Sequence, residues 1–177
     1  MHALESLETS LNDLFVKQAP PLPRSGKKAL VEYLPWVNLA LGLLALYTVY
    51  ALWHWAHLAN GLINYAASLN SGTYGGSGLG VNRLSLSIWL GLLVLAAEAL
   101  LYLAAFPGTR ARKKSGWNLM FYALLVNIAY AVVILFTDYG SFGNLVITLL
   151  ASAAGLYLIF QIRSSYGQRS AGKKKDA

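Results

Sequence analysis

The chain has no cysteine among its 177 residues. That absence excludes disulfides, thiolate metal sites, iron–sulfur clusters and thiol nucleophiles together. Charge is scarce as well. Asp, Glu, Lys and Arg make up 12% of the sequence, about half of the roughly 25% found in soluble domains. The few charges are clumped. Positions 33–82 carry none, Glu98 stands alone between Arg83 and Arg110, and the runs Ser115–Thr137 and Tyr139–Ile162 are free of them. A domain bathed in water cannot cover itself with such stretches.

Catalytic groupings are missing too. No Ser-His-acid set, no paired carboxylates within the apolar runs and no metal motif can be assembled from three histidines and seven acids. The segment Ser71–Gly80, SGTYGGSGLG, is rich in glycine but lacks the lysine of a phosphate-binding loop. The expectation is a non-enzymatic protein with no cofactor and no metal. The net charge of +7 does not point to nucleic acid, because the basic residues sit beside apolar spans, where topology requires them.

What is abundant is apolar: 56% of residues are hydrophobic. A membrane-crossing helix needs about 20 such residues, and four segments qualify, roughly 34–59, 84–106, 117–137 and 144–162. Backbone groups in lipid must pair internally, so these are helices. The fold class expected is an all-α integral membrane protein, a four-transmembrane-helix bundle with a short cytoplasmic N-terminal amphipathic helix. Residues 1–33 form that helix with a proline-rich, basic linker, 34–163 form the membrane domain, and 164–177 form a basic, disordered tail. Pro35 is expected in the first turn of the first span, where its missing N–H costs nothing. Pro107-Gly108 is expected to stop the second. The N-terminal 30 residues lack an apolar signal core, so the first span reads as an uncleaved signal anchor.

Orientation follows from the cations. Lys17, Arg24, Lys27 and Lys28 precede the first span, Arg110, Arg112, Lys113 and Lys114 separate the second from the third, and Arg163, Arg169, Lys173, Lys174 and Lys175 follow the fourth. With four spans these 13 share one side, and Arg83 alone lies on the other. Positive residues favour the cytoplasm, so both termini are expected there, in a cytoplasmic membrane of bacterial type. Trp36 and Trp117 are expected as anchors at the inner interface, and Trp53, Trp55 and Trp89 at the outer one.

Leu4, Leu7, Leu11 and Leu14 recur at one-face helical spacing over Ala3–Val16. Glu5, Glu8 and Asp13 make this helix acidic, which suits protein docking better than an anionic lipid surface. Candidate docking sites are a partner, a sister subunit, or the basic loop Arg110–Lys114. Ala19–Pro23 then forms a stiff spacer. Anionic headgroups are expected at the basic loop and tail. Asn60–Leu69 reads as a continuation of the first helix beyond the bilayer.

The two halves resemble each other faintly. Trp36-Val37-Asn38-Leu39 is echoed by Trp117-Asn118-Leu119, Tyr50-Ala51 by Tyr130-Ala131, and Leu101-Tyr102-Leu103 by Leu156-Tyr157-Leu158. These echoes suggest a duplicated helical hairpin.

Three polar features carry the functional argument. Glu98 falls near mid-depth of the second span, where a charge costs roughly 2.5–3.5 kcal/mol on insertion scales. Asn127 lies at similar depth in the third. One reading makes Glu98 a protonated hydrogen-bonding strut between helices. The other makes it a proton or cation site. Tyr47, Tyr50, His54, His57 and Asn64 form a polar seam along the first helix; packing at the interface is the simpler explanation, since no third ligand accompanies the two imidazoles. Ala151, Ala154 and Gly155 belong to a run of small residues that lets helix backbones approach closely. They mark the fourth span either as the helix most buried in the bundle or as a subunit contact. The function expected is a scaffolding or partner-modulating membrane bundle, acting through its N-terminal helix and fourth span. The alternative is a small transporter or channel subunit using Glu98.

Overall fold

The computed structural model describes residues 2–71, 86–137 and 140–167. Among them the regular structure is entirely helical. Helix α1, His2–Asn12, runs into a π-helical turn, Asp13–Gln18. Then come α2, Arg24–Ser71, α3, Leu86–Arg110, α4, Lys114–Leu135, and α5, Phe142–Gln161, closed by a 3-10 turn at Arg163–Ser165. Four helices are long and apolar enough to cross a membrane, over Arg24–Ala59, Trp89–Arg110, Lys114–Leu135 and Phe142–Gln161.

The element ends differ from the sequence expectation in ways the side chains explain. α2 starts at Arg24, so Pro35 lies well inside the helix and not in its first turn. Its ring removes the hydrogen bond that the Val31 carbonyl would accept. The turn persists because Val31 and Leu34 are buried in the core with Ala105, Trp117 and Phe160. The basic linker is therefore helical from Arg24, and only 19–23 remain outside a helix. The other end of α2 continues through 60–69 to Ser71. At 48 residues and 1.5 Å per residue, α2 is about 72 Å long, more than twice a hydrocarbon core. Pro107 does not stop α3, which continues to Arg110. α5 opens two residues before the expected Asn144, because Ser141 Oγ caps it by accepting the Asn144 N–H at 3.2 Å.

The helices pack in chain order, α2 on α3, α3 on α4, and α4 on α5. Each pair is antiparallel. Trp36 meets Phe106 at 5.8 Å between ring centroids while Trp53 meets Trp89 at 5.5 Å. The α3–α4 connection is the tightest. A Cβ on Gly116 would stand 2.3 Å from the Thr109 nitrogen, and one on Gly108 would stand 2.6 Å from the Gly116 Cα. Glycine at both positions is what lets these backbones touch. Arg112 takes a left-handed φ of 53° to turn the chain.

The described Lys and Arg residues therefore gather at one end, in the turn after α1 and where α2 and α4 begin and α3 and α5 finish, and none of them lies at the opposite end. We refer to this as the basic end. The main apolar core lies there too, around Trp117, Phe121, Phe160 and Ile162. Trp117 is 1% exposed. Its indole N–H donates to the Ile159 carbonyl at 2.8 Å, and its ring stacks on Phe121. It is a core residue and not the interfacial anchor expected. Trp36 is 56% exposed, with the Arg110 guanidinium over its ring. The two tryptophans matched in the internal repeat thus have opposite surroundings.

Elsewhere large apolar side chains point outward, among them Leu44 and Leu62 on α2, Leu93 on α3, and Ile147 and Leu150 on α5. α5 is the least covered of the four, with most of its apolar side chains facing outward. It is therefore not the most buried helix of the bundle.

Candidate functional site: a polar ladder at mid-helix

Glu98, Asn127 and Ser152 sit near the midpoints of α3, α4 and α5. Because these helices are antiparallel neighbours, their midpoints fall at one level. Asn127 Nδ2 donates to Glu98 Oε1 at 3.1 Å, and Ser152 Oγ donates to Asn127 Oδ1 at 3.4 Å. The single amide of Asn127 spends its donor on one helix and its acceptor on the other. Glu98 is 8% exposed, faces protein, and has Tyr102 one turn along its own helix. The structure thus brings Glu98 and Asn127 together and adds Ser152. In the sequence Ser152 is hidden inside the small-residue run Ala151–Gly155, although a hydroxyl within an apolar helix is the usual cross-helix partner.

A second polar pair escaped sequence reasoning altogether. Asn38 is 1% exposed. Its Nδ2 donates to Thr109 Oγ1 at 3.4 Å, while the Thr109 hydroxyl donates back to the Ala105 carbonyl at 2.9 Å. This pair ties α2 to α3 near the basic end. The signal was available, since an amide in an uncharged apolar run needs a partner.

A crevice of about 310 Å³ reaches Asn127 between α4 and α5 and is also lined by Tyr130, Asn144 and Thr148. Glu98 is not part of its wall, so Asn127 stands between the carboxyl and that space.

The polar seam on α2 faces away from the other helices. Tyr47, Tyr50, His54 and His57 are all exposed, with Tyr50 stacked on His54 and Trp53 at 4.3 Å from the His57 ring. His57 Nδ1 lies 3.0 Å from the Trp53 carbonyl. A carbonyl only accepts, so a hydrogen bond here requires the tautomer protonated on Nδ1. The side chain of Asn64 lies outside what is described, as do Arg83, Asp138 and the cations after 167. Among the described residues no three His, Asp or Glu gather as a metal site. Of the small residues on α5, Ala151 and Ala154 are exposed, and Gly155 packs on Leu124 of α4.

The N-terminal arm docks on its own chain, but on the end of α5 and not on the loop 110–114. Glu8 pairs with the Arg163 guanidinium, whose other nitrogen donates to Asn12 Oδ1 at 3.2 Å. Gln161 is buried. Its Nε2 donates to the Phe15 carbonyl at 2.7 Å, and its Oε1 accepts from Leu22 N–H at 3.3 Å. Tyr157 donates to the Pro20 carbonyl at 2.7 Å. The leucine stripe is only partly used, since Leu11 packs on the core while Leu7 and Leu14 are exposed. The wider π turn rotates Leu14 off the face of Leu11 and brings Phe15 onto Phe160, at 6.1 Å.

Comparison with protein-family models, with curated proteins and with solved structures finds no match to this chain.

Proposed function

We propose that the chain is a multi-pass protein of a cytoplasmic membrane, non-enzymatic, with both termini on the cytoplasmic side. It serves there as a scaffold that presents its basic end and exposed helix faces to partners. The outward apolar side chains on α2, α3 and α5 support the membrane reading, since lipid covers what protein does not. The gathering of cations at one end supports the orientation.

The observation that carries the scaffolding reading is the ladder Glu98–Asn127–Ser152. Both ends of the Asn127 amide are engaged, so the carboxyl acts as a strut joining α3 to α4, and Asn127 extends the link to α5. Exchange of Glu98 tests this reading. Glu98→Gln keeps the acceptor oxygen and should leave detergent unfolding stability nearly unchanged. Glu98→Leu should cost about 0.6–2 kcal/mol, the range of interhelical hydrogen bonds. Equal stability of both variants and the wild type would remove the strut.

The crevice that reaches Asn127 favours a second reading, a small transporter or channel subunit in which Glu98 takes up a proton or cation. The duplicated hairpin stays a proposal resting on the sequence echoes alone.

A further inference from the structure

Where the arm, α2, α4 and the end of α5 converge, the basic end holds a pocket of about 390 Å³, within the roughly 300–1,000 Å³ of small-molecule sites. Its wall includes Lys27, Lys114, Arg163, Trp117, Gln161 and Tyr166. The cations come from three separate elements, so the fold and not a run of basic sequence brings them together. Arg163 is already engaged by Glu8 and lies over the Trp117 ring. Lys27 and Lys114 have no acidic partner among the described residues. No side chain caps the N-terminus of α4, which begins at Lys114, so its first turn keeps positive character.

Tyr166 closes one side of the pocket. It is 6% exposed, and its hydroxyl is the one buried side-chain polar atom, among the described residues, that lacks a hydrogen-bond partner. The backbone holds this segment in place, with Gly167 N–H donating to the Arg112 carbonyl at 3.1 Å.

We propose that this pocket binds a phosphate group, held by Lys27 and Lys114, and that its source is the headgroup of an anionic lipid. The source rests on the membrane reading above. The phosphate chemistry does not.

The test uses the full chain, delipidated in neutral detergent, with binding of short-chain phosphatidylglycerol, phosphatidylcholine and inorganic phosphate followed by native mass spectrometry and thermal shift. Phosphatidylglycerol should bind in preference to phosphatidylcholine, and inorganic phosphate should compete with it. Lys27→Gln with Lys114→Gln should weaken binding by on the order of tenfold or more. Tyr166→Phe, which removes only an unpaired hydroxyl sealed from solvent, should fold normally and leave binding unchanged. Arg24→Gln with Lys28→Gln removes two cations outside the pocket and should leave binding unchanged. Binding of phosphate without phosphatidylglycerol, still sensitive to the pocket pair, would support the site and assign it to a soluble phosphate. Equal weakening by the pocket pair and the control pair would overturn the site in favour of diffuse attraction. Release of the chain from membranes by alkaline carbonate would instead overturn the membrane reading and leave the pocket result standing.

Discussion

At the scale of single residues, position decides what a polar group does. Glu98 costs several kcal/mol if it stands alone in an apolar helix, and the ladder to Asn127 and Ser152 gives it company at matching depth. Tyr166 shows the opposite case outside the apolar segments. Burial pushes its phenol up to about 12, against a lesser downward pull from the Arg112 charge. The folded chain keeps this proton where the unfolded chain has lost it. The stability it contributes is therefore present below about pH 10 and is lost as pH climbs toward 12. Tyr166→Phe cannot ionise, so its melting temperature should fall less than that of the wild type between pH 10 and pH 12. Parallel curves for the two proteins would contradict this. Glu98 and Asn127 were legible in the sequence because a charge and an amide stand out in apolar runs at comparable depth. Trp117 was not. An indole suits a lipid interface and a core equally, and only the placement of Phe121, Ile159 and Phe160 decides between them.

At the scale of elements, close approach is confined to particular faces. The small residues of α5 read in sequence as one packing surface, yet periodicity alone cannot say which way the helix is turned. Gly155 faces α4, where an added Cβ would stand 3.1 Å from Leu124, while Ala154 faces outward. Gly155→Leu should therefore lower the melting temperature in detergent, by the 1–3 kcal/mol typical of overpacking, and Ala154→Leu should not. Equal losses would place Ala154 in a contact between chains, which is the subunit interface expected from sequence. Element existence was legible from the apolar runs. The ends were not, because Pro35 and Pro107 signal interruption locally, and the packing of Val31, Leu34 and the Gly108–Gly116 contact overrides that signal. The arm's docking place was also hidden. It depends on Gln161, a lone amide at the end of α5 that finds the Phe15 carbonyl and Leu22 N–H across 146 and 139 residues of chain.

At the scale of the whole molecule, the account rests on one asymmetry. The basic end carries the described cations, the apolar core and the clasped arm, and the remaining length of the helices presents apolar side chains outward. Reporter fusions at Gly76 and after Lys175 should fall on opposite sides of the membrane, and the same side for both would overturn the topology. Four helices long and apolar enough to cross a membrane were legible because length and apolarity are local quantities. What the protein does with Glu98 is less so, since a strut and a proton site use the same carboxyl and differ only in whether it exchanges protons across the membrane. The measurement that separates them is proton flux into vesicles reconstituted with the wild-type protein and with Glu98→Gln, under an imposed pH gradient. The strut predicts no flux above that of protein-free vesicles for either protein. A pH-driven flux in the wild type that disappears in Glu98→Gln would contradict it and make Glu98 a transport carboxylate.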